Sequence, residues 1–180
     1  MDKNAHETRL ALQARFGDRQ ALEELLGILQ QPLYRYIRHL VLDDHLAEDI
    51  LQEVFVLIYQ NLRWLHQPRY VRAWAYRIAS REAFRTLKRE RRLGVYMEDE
   101  EEGADIPAPE GLDPDLAIQL PQMLDQISTA SRTVLVLHYM SGLPLAEVAA
   151  VLGIPLGTVK SRLAYGLKIL RHGLKEHPEE

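Results

Sequence analysis

Residues 143–171, LPLAEVAAVLGIPLGTVKSRLAYGLKILR, decide how this chain is read. Leu145, Val148, Ala149 and Leu152 recur at helical spacing, which predicts a short helix that Gly153 is suited to end. Ile154 and Pro155 then fill a turn. A second helix is expected to start near Gly157-Thr158, with Thr158 as its cap and Val159, Leu163, Leu167 and Leu170 on its apolar side. Lys160, Ser161, Arg162, Lys168 and Arg171 fall largely off that line. A short helix, a glycine turn and a second helix that starts with cationic and hydroxyl groups make the pattern of a helix-turn-helix. In such a pair the start of the second helix faces base edges in the major groove, and its Lys and Arg reach phosphate. An antiparallel helix pair in an ordinary all-α core has the same apolar period, so the periodicity alone leaves both readings open.

The chain has 180 residues, room for one ordinary domain or two small ones. Its hydrophobic fraction of 47% can build cores, yet no apolar run approaches the roughly 18 residues of a membrane span. The N-terminal stretch MDKNAHETRL is polar and has no apolar signal core, so a cytoplasmic protein without membrane insertion is expected. There are no cysteines, which excludes disulfides and thiolate zinc sites. The net charge of −4 hides a segregated pattern. Arg63 to Arg92 holds ten Arg or Lys against two Glu, whereas Glu98 to Asp115 holds nine acidic residues and no basic one. Two cationic segments with an acidic spacer between them suit two nucleic-acid contacts.

Before Gly17 the spacing predicts a helical lead-in with no chemistry of its own. Asp18 is a candidate cap for a helix carrying Leu22, Leu25, Leu26 and Leu29, and Pro32 either kinks that helix or begins the next, with Leu33, Tyr36, Ile37 and Leu40. His39 reads as a surface or packing residue. Asp43-Asp44-His45 offers a cap for a helix from Leu46 to about Arg63. In it Ile50, Val54, Leu57, Ile58 and Leu62 face inward, and Glu48, Asp49, Gln52 and Glu53 cluster on a polar side. The cluster has three readings: acids favoured at the positive end of the helix dipole, a metal site from Asp44, His45, Glu48 and Asp49 for which no second ligand cluster exists, or an acidic docking face.

After the loop Trp64–Arg69, whose Pro68 suits a first helical turn, a helix is expected from about Arg69 to Leu93. Arg77, Arg81, Arg85, Lys88 or Arg89, and Arg92 recur at three- and four-residue steps as one cationic stripe, with Val71, Trp74, Ala75, Ile78 and Leu87 on the apolar side. Tyr70, Trp74 and Tyr76 lie among the charges, and cations with aromatics suit a phosphate track beside bases that can stack. Residues 94–112 are acidic and contain Pro107 and Pro109, which predicts a flexible linker. Asp113-Pro114 is a candidate start for the last domain, with Leu116, Leu120, Met123, Leu124 and Ile127 following. Ser128 or Thr129 then caps a helix with Val134, Leu135, Leu137 and His138, the histidine in a packing role.

Three of these segments resemble the extracytoplasmic-function sigma factors of the bacterial sigma-70 family, in that family's order. Gly157-Thr158-Val159-Lys160-Ser161-Arg162-Leu163 resembles the GTVKSRL-like run of their C-terminal recognition helix, with Leu145 to Ala149 matching the helix before it. Leu46 to Phe55, LAEDILQEVF, resembles the DAED-x-x-QEVF run of the helix that docks on the polymerase β′ coiled coil, with Leu46 in place of the usual Asp. Arg72 to Ala79, RAWAYRIA, resembles the FRAWLYRIA segment. By that resemblance the helix and the Trp64–Arg69 loop meet the −10 element, and the loop captures unpaired bases. Two departures bear on base preference: Arg81 and Arg85 stand where many members have Asn and Asp, and Ala164-Tyr165-Gly166 replaces an aromatic or His followed by Arg.

The resemblance implies an all-α chain of two small helical domains. Residues 1–93 would bind core polymerase and the −10 element, 94–112 would link, and 113–180 would form a helix-turn-helix domain for the −35 element. Glu48, Asp49, Gln52 and Glu53 would dock core RNA polymerase through the β′ coiled coil, with the β subunit also a partner. Trp64, Arg69, Arg77, Arg81, Arg85, Lys88 and Arg89 would meet the −10 DNA. Thr158, Lys160, Ser161, Arg162, Tyr165, Lys168 and Arg171 would meet the −35 DNA. The implied function is transcription initiation with assistance to promoter melting, and no catalytic residue, metal or cofactor is expected. An anti-sigma factor is a common partner in the family, but no residue here identifies one. Two rivals differ in class. A free-standing helix-turn-helix regulator explains the C-terminal half but not the acidic helix followed by the aromatic-basic one. A metal hydrolase lacks an acid–base pair, an HExxH motif, a phosphate-binding glycine loop and a nucleophile.

Overall fold

The structure, a computed structural model, describes residues 3–92 and 121–176. All regular elements among the described residues are helical, and the chain divides into two compact units, Met1–Val95 and Tyr96–Glu180. The expected linker 94–112, the Asp113-Pro114 start, and Leu116 and Leu120 lie outside the described residues.

The first unit contains α1 (Lys3–Arg15), α2 (Arg19–Val41), α3 (Asp44–Asn61) and α4 (Val71–Arg92), with short 3₁₀ turns at Leu62–Trp64 and Pro68–Tyr70 between α3 and α4. Carboxylates start two of these helices. Asp18 accepts the Ala21 N–H at 3.0 Å, and Asp43 accepts the Leu46 N–H at 2.8 Å, each meeting a donor that the first turn leaves without a helical partner. Of the two readings of Pro32 the new start does not hold, because α2 runs through it to Val41. The buried stripe Leu25, Leu29, Leu33, Tyr36, Ile37 and Leu40 continues unbroken on both sides of the proline. Leu22 and Leu26, expected in that stripe, are only half-buried.

Ile50, Val54 and Ile58 of α3 complete the core with one face of α4. That face is built of small residues: Ala75, Ala79 and Ala83, at four-residue steps, are fully buried, so the α4 backbone can approach its neighbours closely. Tyr76 is also buried, against expectation, with its ring edge-to-face with Tyr36 (centroids 5.2 Å apart, planes at 88°). The Tyr36 hydroxyl lies 2.7 Å from Ser80 Oγ, which itself donates to the Tyr76 carbonyl at 2.7 Å. Burial pushes the Tyr36 phenol well above its ordinary pKa, so it stays a neutral donor.

The N-terminal residues are more than a lead-in. Leu10 and Ala11 of α1 are buried, and Glu7, 1% exposed, forms a bidentate ion pair with Arg72 at the start of α4. No local period announces a partner 65 residues away, so the sequence reading missed it.

In the second unit a 3₁₀ turn at Leu124–Gln126 precedes α5 (Thr129–Leu135), a π-helical turn Val136–Met140, α6 (Leu145–Leu152) and α7 (Leu156–Glu176). Ser128 is the cap of α5, accepting the Ser131 N–H. Residues 131–137 are all buried, which makes α5 the centre of this unit. The π turn closes with the Ser141 N–H on the Val136 carbonyl at 2.9 Å. His138 Nδ1 donates to the Leu143 carbonyl at 2.8 Å, the packing role expected of it.

Candidate nucleic-acid and protein interfaces

The α6–α7 pair is held by Val148 and Val151 on one side and Val159, Leu163, Leu167 and Leu170 on the other, all buried. Val151 was absent from the expected face, whereas Leu145, Ala149 and Leu152, which were expected there, are half-buried flanks. Gly153 ends α6 with φ +68°, a left-handed conformation that glycine adopts without steric cost, and its N–H reaches the Ala149 carbonyl at 2.9 Å. Helix α7 begins at Leu156, and the Val159 N–H bonds the Pro155 carbonyl at 3.1 Å. Thr158 is therefore inside the first turn and is not the cap, a correction to the sequence reading.

That shift leaves Thr158, Ser161, Tyr165 and Lys168 on one line at three- and four-residue steps, and exposed His172 extends it. Lys168 is exposed, and Thr158, Ser161 and Tyr165 are half-buried. The Ser161 hydroxyl donates to the Thr158 carbonyl at 3.0 Å, which leaves its oxygen lone pairs as acceptors. Lys160 and Arg171 are exposed on one flank, and half-buried Arg162 stands on the other. The departure after Leu163 has a structural cause. Ala164 and Gly166 face inward, and a Cβ on Gly166 would stand 2.7 Å from Leu135 Cδ1, so α5 crosses α7 where only glycine fits without movement. His172 was missed because the reading stopped at the basic residues.

In the first unit Glu48, Asp49, Gln52 and Glu53 are all exposed on α3. Val56 (53% exposed) and Tyr59 (68%) continue the same side. The sequence reading passed over both because it sorted apolar residues into the core. Asp44 stands apart from this row: Arg38 and Tyr34 both donate to its Oδ1, the latter at 3.2 Å. The Arg38 hydrogen bond holds the Asp44 carboxyl below its ordinary pKa. Among the described residues no three His, Asp or Glu side chains are grouped to hold a metal ion.

Between α3 and α4, Leu62 and Leu65 are buried while Trp64, between them, is 63% exposed with the Arg63 guanidinium 4.9 Å from its ring centroid. Arg69 stacks on Tyr70 at 4.7 Å and donates to Gln67 at 2.9 Å. Along α4 Arg77, Arg81, Arg85, Lys88 and Arg89 are all exposed. Tyr76 is not available to stack on a base, which corrects the aromatic part of the expectation, and Trp74 is half-buried. Arg85 is also committed within the protein: its Nη2 donates to Glu53 on α3 at 2.9 Å and is ion-paired with Glu82. The acidic and the cationic rows are thus joined at one residue.

The family profile described as Sigma-70 region 2 matches residues 25–93, and that described as Sigma-70, region 4 matches residues 117–170. The chain is 31% identical over 151 residues to the ECF RNA polymerase sigma factor SigL of Mycobacterium tuberculosis, covering 80% of this chain and 83% of that protein. The chain belongs to the extracytoplasmic-function sigma factors of the sigma-70 family. It is also 28% identical over 177 residues to the ECF RNA polymerase sigma factor SigW of Bacillus subtilis, covering 91% of this chain and 94% of that protein. Among solved structures, the sigma factor RpoE of Bartonella quintana, crystallised with the anti-sigma factor NepR, superposes with a TM-score of 0.65 at 27% identity, covering 85% of this chain and 95% of that one. CnrH, solved with the cytosolic domain of CnrY, shares the fold with a TM-score of 0.70 at 24% identity.

As a sigma factor the chain is a transcription initiation factor that binds bacterial core RNA polymerase and promoter DNA. The free-standing regulator does not account for the region 2 match across the N-terminal half. No helix among the described residues is long and apolar enough to cross a membrane.

Proposed function

We propose that this sigma factor divides its work between its two units. Residues 1–93 dock core polymerase and engage the −10 element, 94–112 connect, and 113–180 engage the −35 element. On α3, Glu48, Asp49, Gln52 and Glu53 face the basic side of the polymerase β′ coiled coil, with Val56 and Tyr59 as apolar neighbours of that contact. On α4, Arg77, Arg81, Lys88 and Arg89 run along −10 phosphates, and Arg85 joins them in proportion to its release from Glu53 and Glu82. Trp64 and Arg69 receive unpaired bases and so favour strand opening. On α7, Thr158, Ser161, Tyr165, Lys168, Lys160 and Arg162 approach the −35 major groove, and Arg171 reaches the backbone. The protein itself catalyses nothing, works in the cytoplasm beside the polymerase, and can be bound by an anti-sigma partner, as the sigma factor RpoE is by NepR.

The observation that carries this reading is the placement of an outward acidic row on α3 beside an outward cationic row on α4 within one unit. Acids would meet a basic protein helix and cations would meet phosphate, so each row selects its partner by charge. The test is binding of core polymerase by wild type against Glu48→Lys with Asp49→Lys, Glu53 being left intact because it holds Arg85. Placing like charges across a contact costs several kcal/mol, so a loss of about a hundredfold in affinity is expected. Full retention would move the polymerase contact off α3.

A further inference from the structure

Glu7 is a carboxylate in a helix that the polymerase and promoter contacts do not use, and it is 1% exposed. A buried carboxylate is costly unless paired, and Arg72 supplies such a pairing here. Arg72 Nε donates to Glu7 Oε2 at 3.0 Å and Arg72 Nη2 donates to Oε1, a two-pronged geometry that fixes position as well as charge. This hydrogen bonding also raises the Arg72 guanidinium above its ordinary pKa. Arg72 is the second residue of α4, directly after the turn Pro68–Tyr70. Helix α1 packs against that turn and also against the turn Leu62–Trp64, so it lies behind both ends of the loop that carries Trp64 and Arg69. Within the loop the buried Leu62 and Leu65 leave Trp64 projecting outward.

We propose that Glu7 is a positioning residue for strand capture: through Arg72 it clamps α1 to the exit of the loop and so holds Trp64 and Arg69 where an unpaired promoter base is received. The inference rests on the reading of that loop given above. A loop bracketed by two short turns has few hydrogen bonds of its own, and an ion pair at its exit, with α1 packed behind it, removes the freedom that remains. A receiving site loosened by about 1 Å loses much of its binding while the rest of the fold is kept.

The test uses holoenzyme assembled from core polymerase and the full chain. Its readouts are fluorescence of 2-aminopurine placed in the single-stranded −10 segment and, in parallel, affinity for core. The variants are Glu7→Gln, which keeps shape and removes charge, Glu7→Asp and Arg72→Lys, which keep charge and disturb the fork, and Trp64→Ala as the reference for the loop. The expected result is unchanged core affinity with capture of the single strand about tenfold weaker in Glu7→Gln, and an intermediate loss in Glu7→Asp and Arg72→Lys. Normal capture by Glu7→Gln beside a defective Trp64→Ala would overturn the clamp alone. Normal capture by Trp64→Ala would overturn the loop reading and the clamp with it. Equal losses of core affinity and capture in Glu7→Gln, with Glu7→Asp behaving like wild type in both, would reduce Glu7 to a general fold contact and overturn its positioning role.

Discussion

Gly166→Ala sets two well-measured effects against each other at one atom. Inside a helix, alanine is favoured over glycine by about 1 kcal/mol, because glycine gives up more backbone freedom on folding. Against that, the new Cβ on α7 would lie 2.7 Å from Leu135 Cδ1, 3.3 Å from Ser131 Cβ and 3.4 Å from Leu135 Cγ. Carbon atoms in contact prefer about 3.5–4.0 Å, so α5 or the leucine must retreat by close to 1 Å. A leucine terminus can often swing aside, but Leu135 and Ser131 are both fully buried, and there is no open side for it to enter. Overpacking of this kind costs about 1–3 kcal/mol, which exceeds the helical gain and leaves a net loss of up to about 2 kcal/mol. In a unit of this size each kcal/mol corresponds to a shift of about 4–8 °C in midpoint. Both tryptophans, Trp64 and Trp74, belong to the first unit, so their fluorescence follows that unit alone and acts as an internal control. Hydrogen exchange of α7 amides follows the second unit. Gly157→Ala supplies the contrast, since nothing lies within 4 Å of its would-be Cβ and the helical gain acts there unopposed. Gly166→Ala should lower α7 protection and leave the tryptophan transition in place, while Gly157→Ala should raise protection. Higher protection in Gly166→Ala would refute the reasoning, because it would mean that Leu135 yields at no cost.

Removing a cation from α4 should act through phosphate. Arg77→Ala or Arg81→Ala should weaken promoter binding by the holoenzyme at all −10 sequences and reduce the slope of log K against log salt by about one. Arg85→Ala should reduce it by less, because two carboxylates already draw on that guanidinium, and a full unit lost at Arg85 would show that its protein pairing dissolves on DNA. Asp44 makes the pH prediction. Its folded-state pKa is lowered, first by the hydrogen bond from Arg38, so its contribution to stability is present above the ordinary carboxylate pKa of about 3.9 and is lost as pH falls through the folded value. The thermal midpoint of Asp44→Asn should therefore lie below wild type at neutral pH, and the gap should close on acidification. A gap that widens below pH 4 would reverse the sign.

What was legible in the sequence is what acts over one or two turns. Apolar periods marked the helices, Asp18 and Gly153 were named where they act, and Asp43 and Ser128 lay within the short runs offered as caps, because a cap satisfies donors or acceptors only a few residues away. Element starts were less legible where a turn precedes a helix: α4 begins at Val71 because Pro68–Tyr70 forms a 3₁₀ turn first, and α7 begins ahead of Thr158. Small residues misled in a systematic way. The buried face of α4 includes Ala79 and Ala83, which the expected apolar side omitted, whereas Trp74 and Ile78, expected there beside the buried Val71, Ala75 and Leu87, are only half-buried. The inward Tyr76 was taken for a base-stacking group for the same reason, since an aromatic among arginines looks functional until its helix face is known.

Charge pairing over long separations was not legible at all, and it changes the meaning of the cationic helix. Arg77, Arg81, Arg85, Lys88 and Arg89 are equivalent in a helical projection, yet Arg85 bridges to Glu53, 32 residues away, and to Glu82. Its pair with Glu53 is exposed on both sides, so it is worth no more than about 1 kcal/mol and can be exchanged for a phosphate oxygen. Glu53 belongs to the row assigned to polymerase, so whatever engages Glu53 there competes for the same carboxylate. Drawing Glu53 toward a basic polymerase helix would release part of the hold on Arg85 and make one more cation available to the −10 phosphates. By thermodynamic reciprocity, DNA that captures Arg85 frees Glu53 for polymerase to the same degree. The coupling is bounded by the strength of the pair, at about fivefold or less in either affinity. On the proposed roles of the two rows, Arg85 therefore ties docking to promoter contact as well as adding charge.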